Sequence, residues 1–182
     1  SGFLPSEPFC LITKIQYKDQ FQACRQSILN FTNALDQYYR CKEEKLKSIF
    51  DQLLVSVPAK YNCYEKFFKE NKEGDPSNVC PPIDVPRYTG SSEASGLEYK
   101  LGVPRCIREA IYAPKKDYDL SNCRREVEEF SGKGFRSYSP DASSAQGQYD
   151  AFLKDLRQVL DKKAEDAIRK FNCRAEGNDF CF

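Results

Sequence analysis

The stretch of residues 11–57 contains neither glycine nor proline, and this constrains the fold more than any other feature of the sequence. Within it, apolar residues recur at spacings of three and four, the pattern of a helix packed lengthwise against a neighbour. We therefore predict one long helix, with a slip of one residue in its apolar repeat, that ends at Pro58. A break near residues 30–33 or near Cys41 would instead give a helical hairpin. The apolar face comprises Phe21, Cys24, Ile28, Phe31, Leu35, Tyr38, Leu46, Ile49 or Phe50, Leu53 and Val57.

The rest of the chain is predicted to form helices separated by loops. Prolines and glycines are concentrated in residues 81–104, which predicts an irregular segment there. No stretch alternates between apolar and polar residues over six or more positions, so the predicted fold is all-α. We expect an elongated, disulfide-linked helical bundle with a long N-terminal helix, a long C-terminal helix and long irregular loops. The other predicted helices are residues 61–71, 104–112, 121–130 with Ser121 as its cap, and 148–171.

The charge of the chain is nearly balanced, with 28 Lys and Arg against 27 Asp and Glu. A dedicated DNA- or RNA-binding protein needs a basic stripe that displaces counterions from phosphates, and an electrostatic membrane anchor needs a similar cluster. We therefore expect neither nucleic acid nor an anionic membrane surface as the partner. No apolar run approaches the roughly 20 residues that a membrane-spanning helix needs, so no membrane span is predicted either.

Histidine is absent from the whole sequence, which excludes Ser-His-Asp triads, Cys-His dyads and histidine metal sites. A nucleophile would then need Lys, Asp or Glu as its base, and no spacing singles out such a pair. The adjacent carboxylates of Glu43 and Glu44 are typical of a solvated helix face. Two oxygen-rich stretches, residues 71–78 and 176–179, lack the twelve-residue EF-hand pattern. We predict no catalytic residues, no metal site and no cofactor; an enzyme that uses two distant carboxylates is the third-ranked alternative.

Nine cysteines occur in 182 residues, more than in an ordinary domain. No Cys-x-x-Cys pair is present, so the sequence lacks the ligand pattern of a structural zinc site. Disulfides in an oxidising compartment explain the cysteines best, and reduced structural thiols are the alternative. We predict a secreted, periplasmic or cell-surface protein. The start at Ser1 without a methionine is what removal of a signal peptide, or a tag remnant, would leave. Asn30 begins a glycosylation acceptor sequence that matters only in a eukaryotic secretory host.

Two parts of the sequence resemble each other. Residues 24–31, CRQSILNF, are echoed by residues 123–130, CRREVEEF, and an aromatic-Asn-Cys sequence follows each of them. We therefore predict a single helical domain, 1–182, that contains two imperfect repeats. The repeats would be residues 10–80 and 106–181, joined by residues 81–104, and chance similarity is the alternative.

Geometry limits how the cysteines can pair. The Cα atoms of a disulfide lie within about 7 Å of each other, whereas 17 residues of straight helix span about 25 Å. Cys24 and Cys41 therefore cannot pair within one helix, and every bridge needs a chain reversal between its partners. Cys41 is left as a thiol or as an inter-chain link. The predicted bridges are Cys63–Cys80, Cys106–Cys123 and Cys173–Cys181, with Cys10–Cys24 as the analogous fourth pair.

The C-terminal residues 171–181, FNCRAEGNDFC, resemble the tail of uncharacterised, exported, helical, cysteine-containing bacterial proteins. The resemblance covers this stretch alone and implies no activity. It implies a location in the cell envelope, which agrees with the prediction from the cysteines.

Aromatic side chains are the candidates for partner contacts, because tyrosine combines a large contact area with a polar tip. Two adjacent aromatic residues on a helix cannot both face its buried stripe. We therefore expect surface contacts from Tyr38 or Tyr39, from Phe67 or Phe68, and from Tyr88, with core packing as the alternative.

The composition as a whole favours a non-enzymatic interaction or scaffold protein that binds a protein partner or assembles with copies of itself. The alternative is a carrier of a small hydrophobic ligand or lipid, which Phe and Leu side chains would hold between the helices.

Overall fold

The structure, a computed structural model, describes residues 3–71, 74–83, 101–132 and 144–177. These residues are mainly helical and none of them is in a β-strand, so the predicted all-α fold with long N- and C-terminal helices is confirmed. The α-helices are α1 (Lys18–Asn71), α2 (Arg105–Arg108), α3 (Asp117–Phe130) and α4 (Ala145–Ala175). Three short 3₁₀ helices are Phe9–Leu11, Pro76–Asn78 and Ala110–Tyr112.

α1 begins at Lys18, later than the sequence predicted. The side-chain oxygen of Gln20 accepts hydrogen bonds from the backbone N–H groups of residues 16 and 17, at 2.8 and 3.2 Å, and so caps the helix start. The chain before α1 folds back, because the disulfide between Cys10 and Cys24 brings their Cα atoms to 5.6 Å. A helix that ran on from residue 11 could not make this bridge.

α1 continues through Pro58, where the sequence predicted that it would end. A proline inside a helix costs about 3 kcal/mol, because it removes one N–H donor and crowds the preceding turn. Leu53, Val57, Tyr61 and Tyr64 are buried on either side of it along one face. Each such side chain stabilises the fold by about 1.5–3 kcal/mol on burial. Packing therefore outweighs the proline, and the separate short helix predicted after it is the last part of α1.

Two other predicted helix starts are also wrong. Ser121 lies inside α3 rather than at its cap, and the carboxylate of Asp119 accepts a hydrogen bond from the backbone N–H of Lys115 (3.3 Å) just before the helix. α4 begins three residues before the predicted Gln148. Its cap is Ser144, whose hydroxyl accepts from the backbone N–H of Gly147 at 3.0 Å.

The chain divides into two compact units. Unit 1 consists of Ser1–Glu44 and Leu153–Phe182, and unit 2 of Lys45–Phe152. α1 and α4 each contribute to both units, so neither unit corresponds to one of the two predicted repeats. Each unit instead contains a part of both.

The core of unit 1 joins the first half of α1 to the second half of α4. The rings of Phe21 and Phe171 meet edge to face, with centroids 6.4 Å apart. On the exposed side, an Arg157 guanidinium nitrogen lies 3.0 Å from a carboxylate oxygen of Asp36, and this hydrogen bond lowers the pKa of Asp36. The buried cluster consists of Leu11, Cys24, Ile28, Phe31, Leu35, Leu160 and Ala167.

The buried residues of unit 2 come from the second half of α1, residues 76–80, residues 101–114, α3 and the start of α4. The ring of Phe50 stacks on that of Tyr149 with centroids 4.8 Å apart. The largest contributions come from Leu46, Ile49, Phe50, Leu53, Val57, Tyr61, Tyr64, Phe68, Leu101, Ile107, Val127 and Phe130.

Disulfides link three pairs of described cysteines, and each pair is one that was predicted. They are Cys10–Cys24, Cys63–Cys80 and Cys106–Cys123. Cys173 is disulfide-bonded as well, and its predicted partner, Cys181, lies outside the described residues. Cys41 is a half-buried thiol in unit 1.

Candidate interaction surface

Two of the predicted aromatic contacts lie on the last turns of α1. Phe68 is only 4% exposed, so of the pair from which one surface contact was expected, Phe68 belongs to the core. Phe67 is half-buried, and its ring meets that of Phe68 edge to face at 5.4 Å. Tyr88, the third predicted position, lies outside the described residues.

Tyr38 and Tyr39 are both half-buried and pack against the core cluster of unit 1. Each ring also has a cation beside it. The ammonium of Lys42 lies 5.2 Å from the ring centre of Tyr38, and the guanidinium of Arg157 lies 5.1 Å from that of Tyr39. These tyrosines therefore serve mainly the packing of unit 1.

Exposed apolar side chains are instead found on two disulfide-linked loops of unit 2. We call residues 74–80 loop 1. We call residues 105–119, which run from α2 to the first turn of α3, loop 2. Loop 1 is closed by Cys63–Cys80 and loop 2 by Cys106–Cys123, and the Cα atoms of each pair are 5.8 Å apart. Their exposed apolar side chains are Val79, Ile111, Tyr112 and Tyr118.

Loop 2 is anchored to α1 by two hydrogen bonds to its backbone. The hydroxyl of Tyr64, a fully buried residue, donates to the carbonyl of Cys106 at 3.1 Å. The ammonium of Lys60 donates to the carbonyl of Ile107 at 2.9 Å and lies 5.8 Å from the ring centre of Tyr64. Burial raises the pKa of Tyr64 to about 12, so the phenol stays protonated and remains a donor.

Loop 2 is also fixed from within. The helix predicted for residues 104–112 is interrupted after α2. The side chains of Ala113 and Pro114, which follow, are buried in unit 2. The guanidinium of Arg105 lies 4.0 Å from the ring centre of Tyr112 and donates to its hydroxyl at 2.7 Å. Ile111 and Tyr118, which flank these buried residues, are 73% and 77% exposed. Apolar side chains are thus held outward by a loop with buried anchors on both sides.

A second arginine of loop 2 points inward and is neutralised locally. The guanidinium of Arg108 has only 9% of its side-chain surface exposed and lies 2.8 Å from a carboxylate oxygen of Glu109. It also donates to the carbonyl of Val103 at 3.4 Å. This pair therefore adds no net charge to the exposed part of the loop.

Loop 1 is shaped by one aspartate and one glycine. The Asp75 carboxylate caps the 3₁₀ helix by accepting from the backbone N–H of Ser77 at 2.9 Å and from its hydroxyl. These hydrogen bonds lower the pKa of Asp75. Gly74 has a φ of +133°, and a Cβ atom there would lie 3.2 Å from the ring of Phe67. The chain needs glycine at this turn both for its backbone conformation and for its space.

The two loops are neighbours in unit 2, because loop 1 is bridged to Cys63 of α1 and the next residue, Tyr64, donates a hydrogen bond to the backbone of loop 2. We call their exposed residues together the double-loop surface. Its described charged side chains are of both signs, with Arg105, Lys115 and Lys116 against Asp75 and Asp119.

Unit 1 has a counterpart in residues 3–17, which precede α1 and carry five exposed apolar side chains: Phe3, Leu4, Phe9, Ile12 and Tyr17. Ile12 and Tyr17 are 70% and 64% exposed. The guanidinium of Arg174 donates to the carbonyl of Thr13, and Lys170 lies 2.8 Å from a carboxylate oxygen of Glu7. This segment, the N-terminal arm, is therefore held by the buried side chain of Leu11 and by charged side chains from α4.

The double-loop surface offers contact area, hydrogen-bonding groups and charges rather than a set of convergent ligands. Among residues 3–71, 74–83, 101–132 and 144–177, no group of three or more Cys, Asp or Glu side chains is placed to hold a metal ion. Within the same ranges, no helix is both long enough and apolar enough to cross a bilayer.

Ile111, Tyr112 and Tyr118 were missed as contact candidates, although the sequence holds a signal for them. They lie between two cysteines predicted to pair, on either side of Pro114. A loop that is closed by a disulfide and interrupted by proline has little room to bury every side chain, and such loops often carry binding residues. Adjacent aromatic pairs on a helix were the weaker signal.

Comparisons of the chain with protein families, with curated proteins and with solved structures gave no match.

Proposed function

We propose that this chain is a non-enzymatic interaction protein of an oxidising compartment, secreted, periplasmic or at the cell surface, and that the double-loop surface is where it contacts a protein partner. The exposure of Ile111 and Tyr118 on an anchored loop is the observation that carries this proposal. Isolated exposed apolar residues are common on proteins, but these are held outward by buried neighbours and a disulfide.

The chemistry of the surface suits a protein rather than a small molecule. Tyrosine and arginine are enriched among residues that dominate protein–protein binding, because they combine area with hydrogen bonding. Here Arg105 and Tyr112 are already held together, 4.0 Å from guanidinium to ring centre. A surface ordered before binding loses less conformational entropy on association.

The disulfides support the proposed compartment. Three bridges link cysteines that are 14 or 17 residues apart in sequence, and each joins α1 or α3 to a neighbouring part of the chain. In the reducing cytosol such bonds are rare, so the geometry of loops 1 and 2 depends on an oxidising environment.

The test is site-specific photo-crosslinking in the compartment where the protein naturally occurs. A benzophenone amino acid would replace Tyr118 in one variant and Val55 in another. Val55 is the matched control, because it is 73% exposed in the same unit but lies on α1. We expect a crosslinked protein adduct from position 118 and none, or a much weaker one, from position 55.

An adduct of any protein mass at position 118 would support the interaction function. Absence of every adduct at positions 111, 112 and 118, in protein whose disulfides are shown to be intact by alkylation, would contradict it.

A further inference from the structure

We infer that the partner at the double-loop surface is a second copy of this chain, in a symmetric dimer where the two surfaces face each other. This inference rests on the proposed function and names its partner. In such an interface each residue contacts the other copy's surface, so the surface must be complementary to itself.

The charges of the double-loop surface meet this requirement. Among the side chains of this surface that the structure describes, the exposed cations are Arg105, Lys115 and Lys116, and the exposed carboxylates are Asp75 and Asp119. Across a two-fold axis, the cations of one copy can face the carboxylates of the other. A partner with a strong charge of one sign would gain little here, because each sign on this surface would offset the other.

The net charge of the whole chain also favours association between two copies. With 28 basic and 27 acidic residues, two copies carry almost no net charge and do not repel each other at long range. A protein that must stay monomeric generally benefits from a larger net charge of either sign.

Apolar contacts would supply the affinity. Ile111, Tyr112 and Tyr118 project from loop 2, and Val79 from loop 1 is 66% exposed. In a symmetric interface each of these side chains is buried on both copies, so the apolar area removed from water is twice that of one surface. The buried anchors Tyr64 and Pro114 keep loop 2 in place before binding.

The N-terminal arm is the matched control surface for this inference. Ile12 and Tyr17 are exposed to nearly the same degree as Ile111 and Tyr118. The arm, however, is held by the buried Leu11, a partly exposed ion pair and one hydrogen bond from Arg174 instead of by hydrogen bonds from a buried tyrosine and a lysine.

The experiment is sedimentation velocity of the full chain over a wide concentration series. We compare wild type with Ile111→Asp/Tyr118→Asp and with the control Ile12→Asp/Tyr17→Asp. We expect a reversible dimer in wild type, at least about a tenfold weaker dimer in the loop variant, and no change in the arm variant. Circular dichroism melts show whether each variant is folded.

A second variant tests the charge argument without touching an apolar side chain. Lys115→Glu/Lys116→Glu leaves the double-loop surface acidic, so the dimer should weaken at low salt and recover at high salt. A dimer that is unaffected by this reversal would overturn the proposed charge pairing.

A wild-type chain that stays monomeric at every concentration would overturn the inference, as would a dimer broken by the arm variant alone. The photo-crosslinking at position 118 separates the two proposals. An adduct of twice the chain mass supports both proposals. An adduct with a different protein, together with a chain that is monomeric in sedimentation, contradicts the dimer but supports the interaction function.

Discussion

Two regions of this molecule use the same local sequence in different settings. In residues 24–31 of unit 1, the buried side chains are Cys24, Ile28 and Phe31. In residues 123–130 of unit 2, the buried positions are the matching ones, and they hold Cys, Val and Phe. In both, the leading cysteine is bridged to a cysteine in a short helical turn that precedes the helix. The shared pattern therefore fixes a common element: a helix whose first turns are tied to the chain that precedes it.

The difference lies in what holds that preceding chain. In unit 2 it is held by the fully buried Tyr64 and by Lys60, both from α1. In unit 1 the polar contacts come from Lys170 and Arg174 of α4, the Lys170–Glu7 pair is partly exposed, and Leu11 is the buried apolar anchor. Exposed ion pairs contribute little and are screened by salt, whereas a buried hydrogen bond is costly to break. A disulfide alone thus does not make a rigid contact surface.

The largest expected effect comes from the matched core residues. Phe31→Ala and Phe130→Ala should each lower the free energy of unfolding by about 3–5 kcal/mol, because each leaves a cavity where an aromatic ring was buried. Urea denaturation measures both, with the exposed Val159→Ala as control. A cost below about 1 kcal/mol for either ring would show that the two sequences are not equivalent in the fold.

The next largest loss of stability is expected when one disulfide is removed. Cys10→Ser/Cys24→Ser and Cys106→Ser/Cys123→Ser should each cost about 2–4 kcal/mol, because the unfolded chain gains freedom. The second pair should cost more, since both of its cysteines are buried while Cys10 is half-buried. Thermal melts of the two variants measure this difference, and equal costs would remove the contrast between the units.

Alkaline pH tests the buried anchor of loop 2. Burial raises the pKa of Tyr64 from 10.0 to about 12, so the native state holds a proton that the unfolded chain releases above pH 10. The stabilisation is complete below pH 10 and is lost as the pH rises through 12, by at most about 2–3 kcal/mol. Tyr64→Phe should therefore flatten the fall in stability between about pH 10 and 12.

At neutral pH, Tyr64→Phe removes the donor to the Cys106 carbonyl and should cost about 1 kcal/mol. Tyr61→Phe is the control, since Tyr61 also lies on α1 and is buried. Burial raises the pKa of Tyr61 as well, so the comparison is made at neutral pH. If Tyr61→Phe cost as much stability there as Tyr64→Phe, the hydroxyl of Tyr64 would not be the anchor.

The smallest effect is expected in the N-terminal arm. Lys170→Ala breaks the contact with Glu7 and should cost no more than about 0.5–1 kcal/mol. Since the pair is partly exposed, the cost should disappear in about 1 M salt, where screening acts within a few ångströms. A cost that persists at high salt would mean that the arm is anchored as firmly as loop 2.

Much of the fold followed from the sequence, because helix periodicity and bridge geometry are local properties. The apolar spacing located the buried face of α1, including Leu46 after the one-residue slip. The need for a chain reversal between paired cysteines selected Cys63–Cys80 and the other bridges. The passage of α1 through Pro58 was missed, since the packing that offsets the proline comes from residues distant in sequence.

The candidate surface was harder to predict, for a physical reason. Whether Phe68 or Ile111 is exposed depends on which elements pack over it, and sequence spacing alone does not show this. One ring of the pair Phe67 and Phe68 was expected to be exposed, and spacing did not show that Phe68 would be the buried one. Ile111 is exposed because its neighbours Ala113 and Pro114 take the buried positions.

The division of α1 between the two units has a consequence for how the protein is made. Unit 2 is one continuous stretch, Lys45–Phe152, whereas unit 1 needs both Ser1–Glu44 and Leu153–Phe182. During vectorial synthesis or export, Ser1–Glu44 therefore cannot complete unit 1 until Leu153–Phe182 has emerged. Unit 2 is complete in sequence once Phe152 has emerged.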